Sequence, residues 1–389
     1  MISELFRKNC APGPKLELLV RAALMEGEDS WKAWLQWRRD ADLDKIRDPA
    51  IRMLPLIYRR WEERLGEDPV TPIMKGIYRR TWYRTQLLRD QSRRVIACLR
   101  SLGIPTLLLK GVALSLQYYR DPGVRSMEDA DILVPPQDAD RTILALEALG
   151  FQFRPIRPFS YLRNFTHAAE FYSQQLGKVD LHWHPIHEIR WHQSEAAFWQ
   201  TSEALVIGDE ESRVLHPTYQ LFHLCCHAIR YMPWRDTRWI LDTVTLIRCD
   251  GHRIDWDFLI REAQRFRRVL AIRDTLGYLS EKVERLVPPG ILASLKKIPV
   301  SRNDQKNYEW QILPYGIRGR SPVFGNISWL WNYCMMESLY ETPDGQMSLW
   351  KKGSQFEKFL RLRYGLTGRR QLAGMILKKA ARRPWLLVR

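Results

Sequence analysis

The chain has 389 residues and a net charge of +17, with 45% hydrophobic and 27% charged residues. That ordinary globular balance excludes low-complexity and collagen-like chains, and the length suffices for two or three domains. Six cysteines, none in a CxxC pair, exclude a zinc ribbon and a disulfide framework and fit a reducing compartment.

The N-terminal stretch MISELFRKNCAPGPKLELL has no apolar core long enough for a signal peptide. No apolar run approaches the roughly 18 residues that span a bilayer, so a cytoplasmic protein is the expectation. Residues 1–102 read as a helical segment. LELLVRAALM, DSWKAWLQWRRDADL and PAIRMLPLIYRRWEERLG carry apolar residues at three- and four-residue spacing, and Ile77 to Leu102 reads as one long helix stopped by Gly103.

The texture changes at Ile104. IPTLLLK is a short apolar run, GVALSLQYY is helical, and DPGVRSME is a loop broken by Pro122 and Gly123. Ala130 to Val134 reads as a buried strand and Asp138 to Leu149 as a helix. Phe151–Arg154, His167–Tyr172 and Lys178–His184 read as three strands. The order β-α-β-α-β-β-β over residues 103–206 predicts a small mixed α/β core. Helices return in residues 207–290, from PTYQLFHLCCHAIRY to VLAIRDTLGYLSEKVERL, and Pro288-Pro289-Gly290 closes that block. Residues 291–389 form an extension whose last part is basic. Residues 351–389 hold twelve Lys or Arg against one acid, Glu357, and so carry +11 of the net charge. Nucleic acid, anionic lipid or an acidic partner would suit that tail.

The chemistry concentrates in the core. Residues i and i+2 of a strand share a face, so Asp129 and Asp131 point the same way, and Asp180 joins them if its strand is a neighbour. Three converging acids repel one another unless cations are bound. Two Mg²⁺ ions about 4 Å apart, with Mn²⁺ as a substitute, would satisfy them and clamp a triphosphate. The ordinary alternative makes Asp129 a turn cap, Asp131 the partner of Arg125 and Asp180 a sheet-edge acid. Asp180, His182 and His184 alternate, so all three are expected on one face. His182 would then orient the acceptor, take its proton, ligate metal, or simply hydrogen-bond beside Asp180. His223 and His227 form an HxxxH pair without the glutamate of a zinc protease, since Leu224 follows His223. They read as core or interface histidines.

LLLKGVAL, then DPGVRSMEDADILV, then VDLHWH, resemble the bacterial family of uncharacterised nucleotidyltransferases, within the DNA polymerase beta-like nucleotidyltransferase superfamily. HLCCHAIR, RWILDTVTLI and IDWDFL resemble that family's helical C-terminal half, and the likeness runs over residues 85 to 290. The resemblance implies an α+β fold: a small mixed-sheet nucleotidyltransferase core flanked by N- and C-terminal helical segments. It implies an enzyme that moves a nucleoside monophosphate from an NTP, ATP first among them, to an acceptor hydroxyl or phosphate, releasing pyrophosphate. Asp129 and Asp131 would hold both metals and Asp180 the one that activates the acceptor. Gly111 would let the triphosphate approach a helix N-terminus, where backbone N–H groups favour anions. The superfamily usually has Gly-Ser at this turn and a shorter run to the first acid. Here the pair is Lys110-Gly111, which casts Lys110 and Arg125 as the phosphate-binding cations. Two other readings stay open: a nucleotide-binding regulator without transfer activity, and a binding module whose basic tail meets nucleic acid or a membrane surface.

Overall fold

The computed structural model describes residues 3–42, 46, 48–153, 158–230, 236–313, 325–344 and 346–382. It is mostly helical, with one mixed β-sheet at its centre. The N-terminal helices are α1 (Glu4–Asn9), α2 (Pro14–Leu24), α3 (Gly27–Arg39), α4 (Asp48–Ile51), α5 (Leu54–Leu65) and α6 (Thr71–Ser101). α6 begins six residues before the predicted long helix and ends one residue short of it.

The central segment contains β1 (Leu107–Leu109), α7 (Lys110–Gln117), β2 (Ala130–Leu133), α8 (Ala139–Ala148), β3 (Gln152–Phe153), α9 (Phe159–Phe165), β4 (Ala168–Ser173) and β5 (Gly177–His182). It continues through α10 (Ala196–Gln200), β6 (Glu203–Ile207) and β7 (Glu210–Val214). The seven strands lie in the order β3-β4-β5-β2-β1-β7-β6. β2–β5 and β1–β7 pair in parallel, and the other neighbours pair antiparallel. Helix α9 and the β6–β7 hairpin are not among the predicted elements. The hairpin's polar, acid-rich second strand hides its period-two pattern, although Gly208 at its turn adopts the left-handed conformation such turns need (φ 65°). The last predicted strand stops at His182 instead of His184, and Arg154, the predicted end of the strand from Phe151, lies outside the described residues.

Alternation in the buried strands sorts the core into two layers. Leu108 and Ile132 stand opposite each other and pack with Val95, Ile96 and Leu99 of α6. Leu107, Leu109 and Leu133 face the other way, into the helices that follow the sheet. Those are α11 (Pro217–Ala228), α12 (Arg238–Asp250), α13 (Trp256–Arg265) and α14 (Val269–Lys282). The helical block does not end at Pro288–Gly290: α15 (Pro289–Lys297) packs on α13 and α14, and α16 (Arg302–Ile312) follows. Pro289 serves as a helix starter because its fixed φ suits the first turn.

α17 (Gly325–Leu339), α18 (Leu349–Arg363) and α19 (Arg369–Arg382) complete the chain. The basic stretch is partly docked. Phe359 is fully buried, with its ring 5.2 Å from Phe165 and 5.6 Å from Tyr161. At the start of α18, Leu349 and Trp350 stand exposed. Residues 383–389 of the predicted tail lie outside the described residues. Among the described residues no helix is long and apolar enough to cross a membrane.

Candidate active site

Parallel pairing of β2 and β5 sets Asp131 directly beside Asp180, and Leu133 beside His182. All four therefore share a sheet face, the one turned toward the helices after the sheet. His182 is fully buried and its Nε2 lies 3.2 Å from Asp131 Oδ1 and 3.1 Å from Asp180 Oδ2. Asp131, Asp180 and His182 each bring one ligand atom into a group spanning no more than 4.8 Å. Lys110 enters from the end of β1, its Nζ 2.7 Å from the same Asp131 Oδ1.

Burial alone would raise the Asp131 carboxyl, but Lys110 and His182 outweigh it and hold the group well below the usual range. Asp180 follows the same logic: burial raises it, and the His182 charge brings it down. For His182, burial works against the imidazolium while Asp180 and Asp131 favour it, and the net direction is upward. The imidazole thus lies between two carboxylates, each within 3.2 Å of its Nε2.

Asp129 sits in the loop just before β2, outside that group of ligand atoms. Burial first, then the charges of Asp131 and Asp180, push its carboxyl up to about 6. Such a group gains strongly from an added cation. The donors suit one: carboxylate oxygens fit Mg²⁺ or Mn²⁺, and an imidazole alongside favours the softer of the two.

Gly111 lies in the first turn of α7, and a Cβ there would come within 3.3 Å of Arg125 Nη1 and 3.4 Å of Met127 Cβ. The glycine is what lets the guanidinium lie against the helix start. Arg125 does not pair with Asp131, contrary to the ordinary alternative. Its Nε and Nη2 donate to Asp242 of α12, both at 2.8 Å, and its buried Nη1 has no partner among the described residues. His184 does not join the site either. It lies past the end of β5, where the alternation stops, and its Nδ1 is 3.5 Å from Glu195.

A cleft of about 220 Å³ lies over these groups. Lys110, Gly111, Arg125, Asp129 and Asp131 form one wall, and His223, His227, Arg230, Arg238, Trp239 and Asp242 the other. Asn9 and Cys10 of the N-terminal segment close a side. The helical wall holds His223 and His227, which the sequence presents as core or interface histidines. His223 and His227 are spaced one turn apart, which puts both on the same face of α11; the spacing was visible, but the destination of that face was not.

Among the solved structures that resemble the chain is the lincosamide antibiotic adenylyltransferase LnuA with lincomycin bound, at 14% identity over 40% of this chain and 94% of that one, with a TM-score of 0.29. Another is an antigenic nucleotidyltransferase-like protein from Paracoccidioides brasiliensis, at 16% identity over 56% of this chain and 95% of that one, with a TM-score of 0.36. No curated protein sequence matches the chain. The profile of one family, described as uncharacterised nucleotidyltransferase, matches residues 50–282. That span takes in the sheet, the acidic cluster and both walls of the cleft, and the chain belongs to this family of uncharacterised nucleotidyltransferases.

Proposed function

We propose that the chain is a metal-dependent nucleotidyltransferase. It moves a nucleoside monophosphate from an NTP, with ATP the first to try, to an acceptor hydroxyl or phosphate. The observation that carries this reading is the pairing of Asp180 with Asp131, which itself lines a cleft together with the start of α7. A triphosphate would lie against the first-turn N–H groups of α7, with Arg125 Nη1 and Lys110 supplying positive charge. Asp131 and Asp180, with Asp129 drawn in, would hold Mg²⁺; a bound divalent cation would neutralise the phosphates and raise the acidity of the acceptor. A second ion would need the third carboxylate. His182 is the orienting group: buried between the two carboxylates, it holds both in place.

The transfer balances simply. The acceptor oxygen forms a bond to the α-phosphorus as the bridging P–O bond to the β-phosphate breaks. The electron pair leaves on pyrophosphate, and a hydroxyl acceptor releases its proton to solvent. The protein's work is placement and charge neutralisation.

A second reading, nucleotide binding without transfer, is favoured by one contact. Lys110 Nζ occupies the Asp131 oxygen that a metal would use. One experiment separates the two. The protein is incubated with each α-labelled NTP, Mg²⁺ and hydroxyl or phosphate acceptors, beside Asp131→Asn and Asp180→Asn. Transfer predicts Mg²⁺-dependent pyrophosphate release that drops on the order of 100-fold or more in both variants. Nucleotide binding with no release in the wild type selects the regulator, and unchanged turnover in both variants rejects the carboxylate assignment.

A further inference from the structure

His223 is the most telling residue of the helical wall. It is 3% exposed, and its Nε2 lies 3.0 Å from the carbonyl oxygen of Pro185. A carbonyl only accepts, so Nε2 carries the hydrogen and Nδ1 of the neutral ring is a bare lone pair. Burial, then the positive charges of Lys110 and Arg230, push this imidazole down to about 3, so the lone pair persists at neutral pH. Nδ1 is buried and has no hydrogen-bond partner among the described residues. Buried acceptors are seldom left this way unless a water, an ion or a ligand completes them. Three other cleft residues carry unpartnered buried atoms: Arg125 Nη1, Arg230 Nε and Trp239 Nε1. All three are donors, yet none reaches His223.

We infer that His223 Nδ1 receives the hydrogen bond of the acceptor's hydroxyl, making the α11–α12 wall the acceptor subsite. This rests on the nucleotidyl-transfer reading. Four cations (Lys110, Arg125, Arg230 and Arg238) and four aspartates (Asp129, Asp131, Asp236 and Asp242) line the same cleft, so its charge does not select the donor, and a hydroxyl is the donor that nucleotidyl transfer requires. The acceptor's remaining oxygens have the indole N–H of Trp239 and the guanidinium of Arg230 to accept from.

Two substitutions separate ligand binding from a structural role. In His223→Gln the amide takes the place of Nε2, keeps the Pro185 bond and deletes the Nδ1 lone pair. In His223→Asn the amide oxygen takes the place of Nδ1 and the Pro185 bond is lost. Glycerol serves as the hydroxyl probe with α-labelled ATP and Mg²⁺. Affinity for α,β-methylene-ATP with Mn²⁺ is measured separately by calorimetry. The expected result is analogue affinity within about 2-fold of wild type in both variants. Transfer to glycerol falls about 10-fold in kcat/KM for Gln, through KM, and largely recovers in Asn, the scale of one hydrogen bond. Wild-type transfer in Gln with loss in Asn overturns the assignment, as does a wild-type protein that binds the analogue but transfers nothing to glycerol. A wild-type protein that fails to bind the analogue overturns the underlying reading instead.

Discussion

Arg125 and Asp242 form a two-pronged pair, Nε to Oδ1 and Nη2 to Oδ2, that ties the loop before β2 to α12. The Tyr119 hydroxyl donates a third bond to Asp242 Oδ1 at 2.9 Å. Both charged groups are nearly sealed from water, at 7% and 4% exposure. The pair aims the one free nitrogen of the fork at Gly111 and joins the two walls of the cleft. Removing one partner leaves a buried charge uncompensated, so Asp242→Ala should cost about 3–5 kcal/mol in urea unfolding. The double variant Arg125→Met, Asp242→Leu should recover most of that loss without recovering nucleotide affinity. Equal stability of Asp242→Ala and wild type would show the pair to be open to solvent.

Gly111 carries a more local prediction. Gly111→Ala places a methyl 3.3 Å from Arg125 Nη1, and Asp242 prevents that side chain from stepping aside. Helix propensity favours alanine by up to about 1 kcal/mol, which offsets the crowding. Thermal stability should therefore change little, while affinity for ATP with Mg²⁺, read by calorimetry, should fall about 10-fold. Unaltered affinity would mean that phosphate does not approach the start of α7.

Much of this site was legible in the chain before its fold. Ala130 to Val134, framed by Asp129 and by two prolines, reads as a buried strand because every residue but Asp131 is apolar. The Asp131–Asp180 meeting follows once β2 and β5 are neighbours, but nothing local in either strand specifies that pairing. The opposite wall was harder. The RWILD segment shows a helix with one apolar face, yet whether Asp242 meets solvent or Arg125 depends on a contact spanning 117 residues. The β6–β7 hairpin escaped for a different reason. β6 and β7 sit at one edge of the sheet, Glu210 and Ser212 are buried polar residues, and period-two patterning weakens where inward positions are polar.

Lys110 is one of the few non-glycine residues with positive φ, at 43°. This left-handed conformation costs an L-residue about 1–2 kcal/mol, and here it delivers Nζ to Asp131. Lys110→Gly should therefore be more stable than Lys110→Met by about 1 kcal/mol, although both lose the ammonium. In the nucleotide-free protein both variants release an Asp131 oxygen. Mn²⁺ binding, followed by electron paramagnetic resonance, should strengthen about 10-fold while ATP binding weakens. Weaker Mn²⁺ binding in both variants would show that the lysine does not compete with the metal.

Glu337 of α17 extends the argument beyond the part of the chain that the family profile covers. It accepts from Arg190 Nη1 at 2.9 Å and lies 2.9 Å from His187 Nε2, while Arg190 Nη2 donates to the Glu337 carbonyl at 2.8 Å. Burial alone would raise this carboxyl, but His187 and Arg190 bring it down to about 2 from 4.5. Between those values the unfolded chain binds a proton that the folded chain refuses. The contribution to stability is thus complete above about pH 4.5 and is lost as pH falls toward 2, by roughly 3 kcal/mol in all. Urea midpoints measured from pH 5 down to pH 3 should fall more steeply for wild type than for Glu337→Gln, which has no proton to take up. At neutral pH the glutamine variant should be the less stable of the two, because Arg190 is left buried without its counter-charge. Parallel slopes would mean that the carboxyl titrates alike in both states and that α17 is held by its apolar contacts alone.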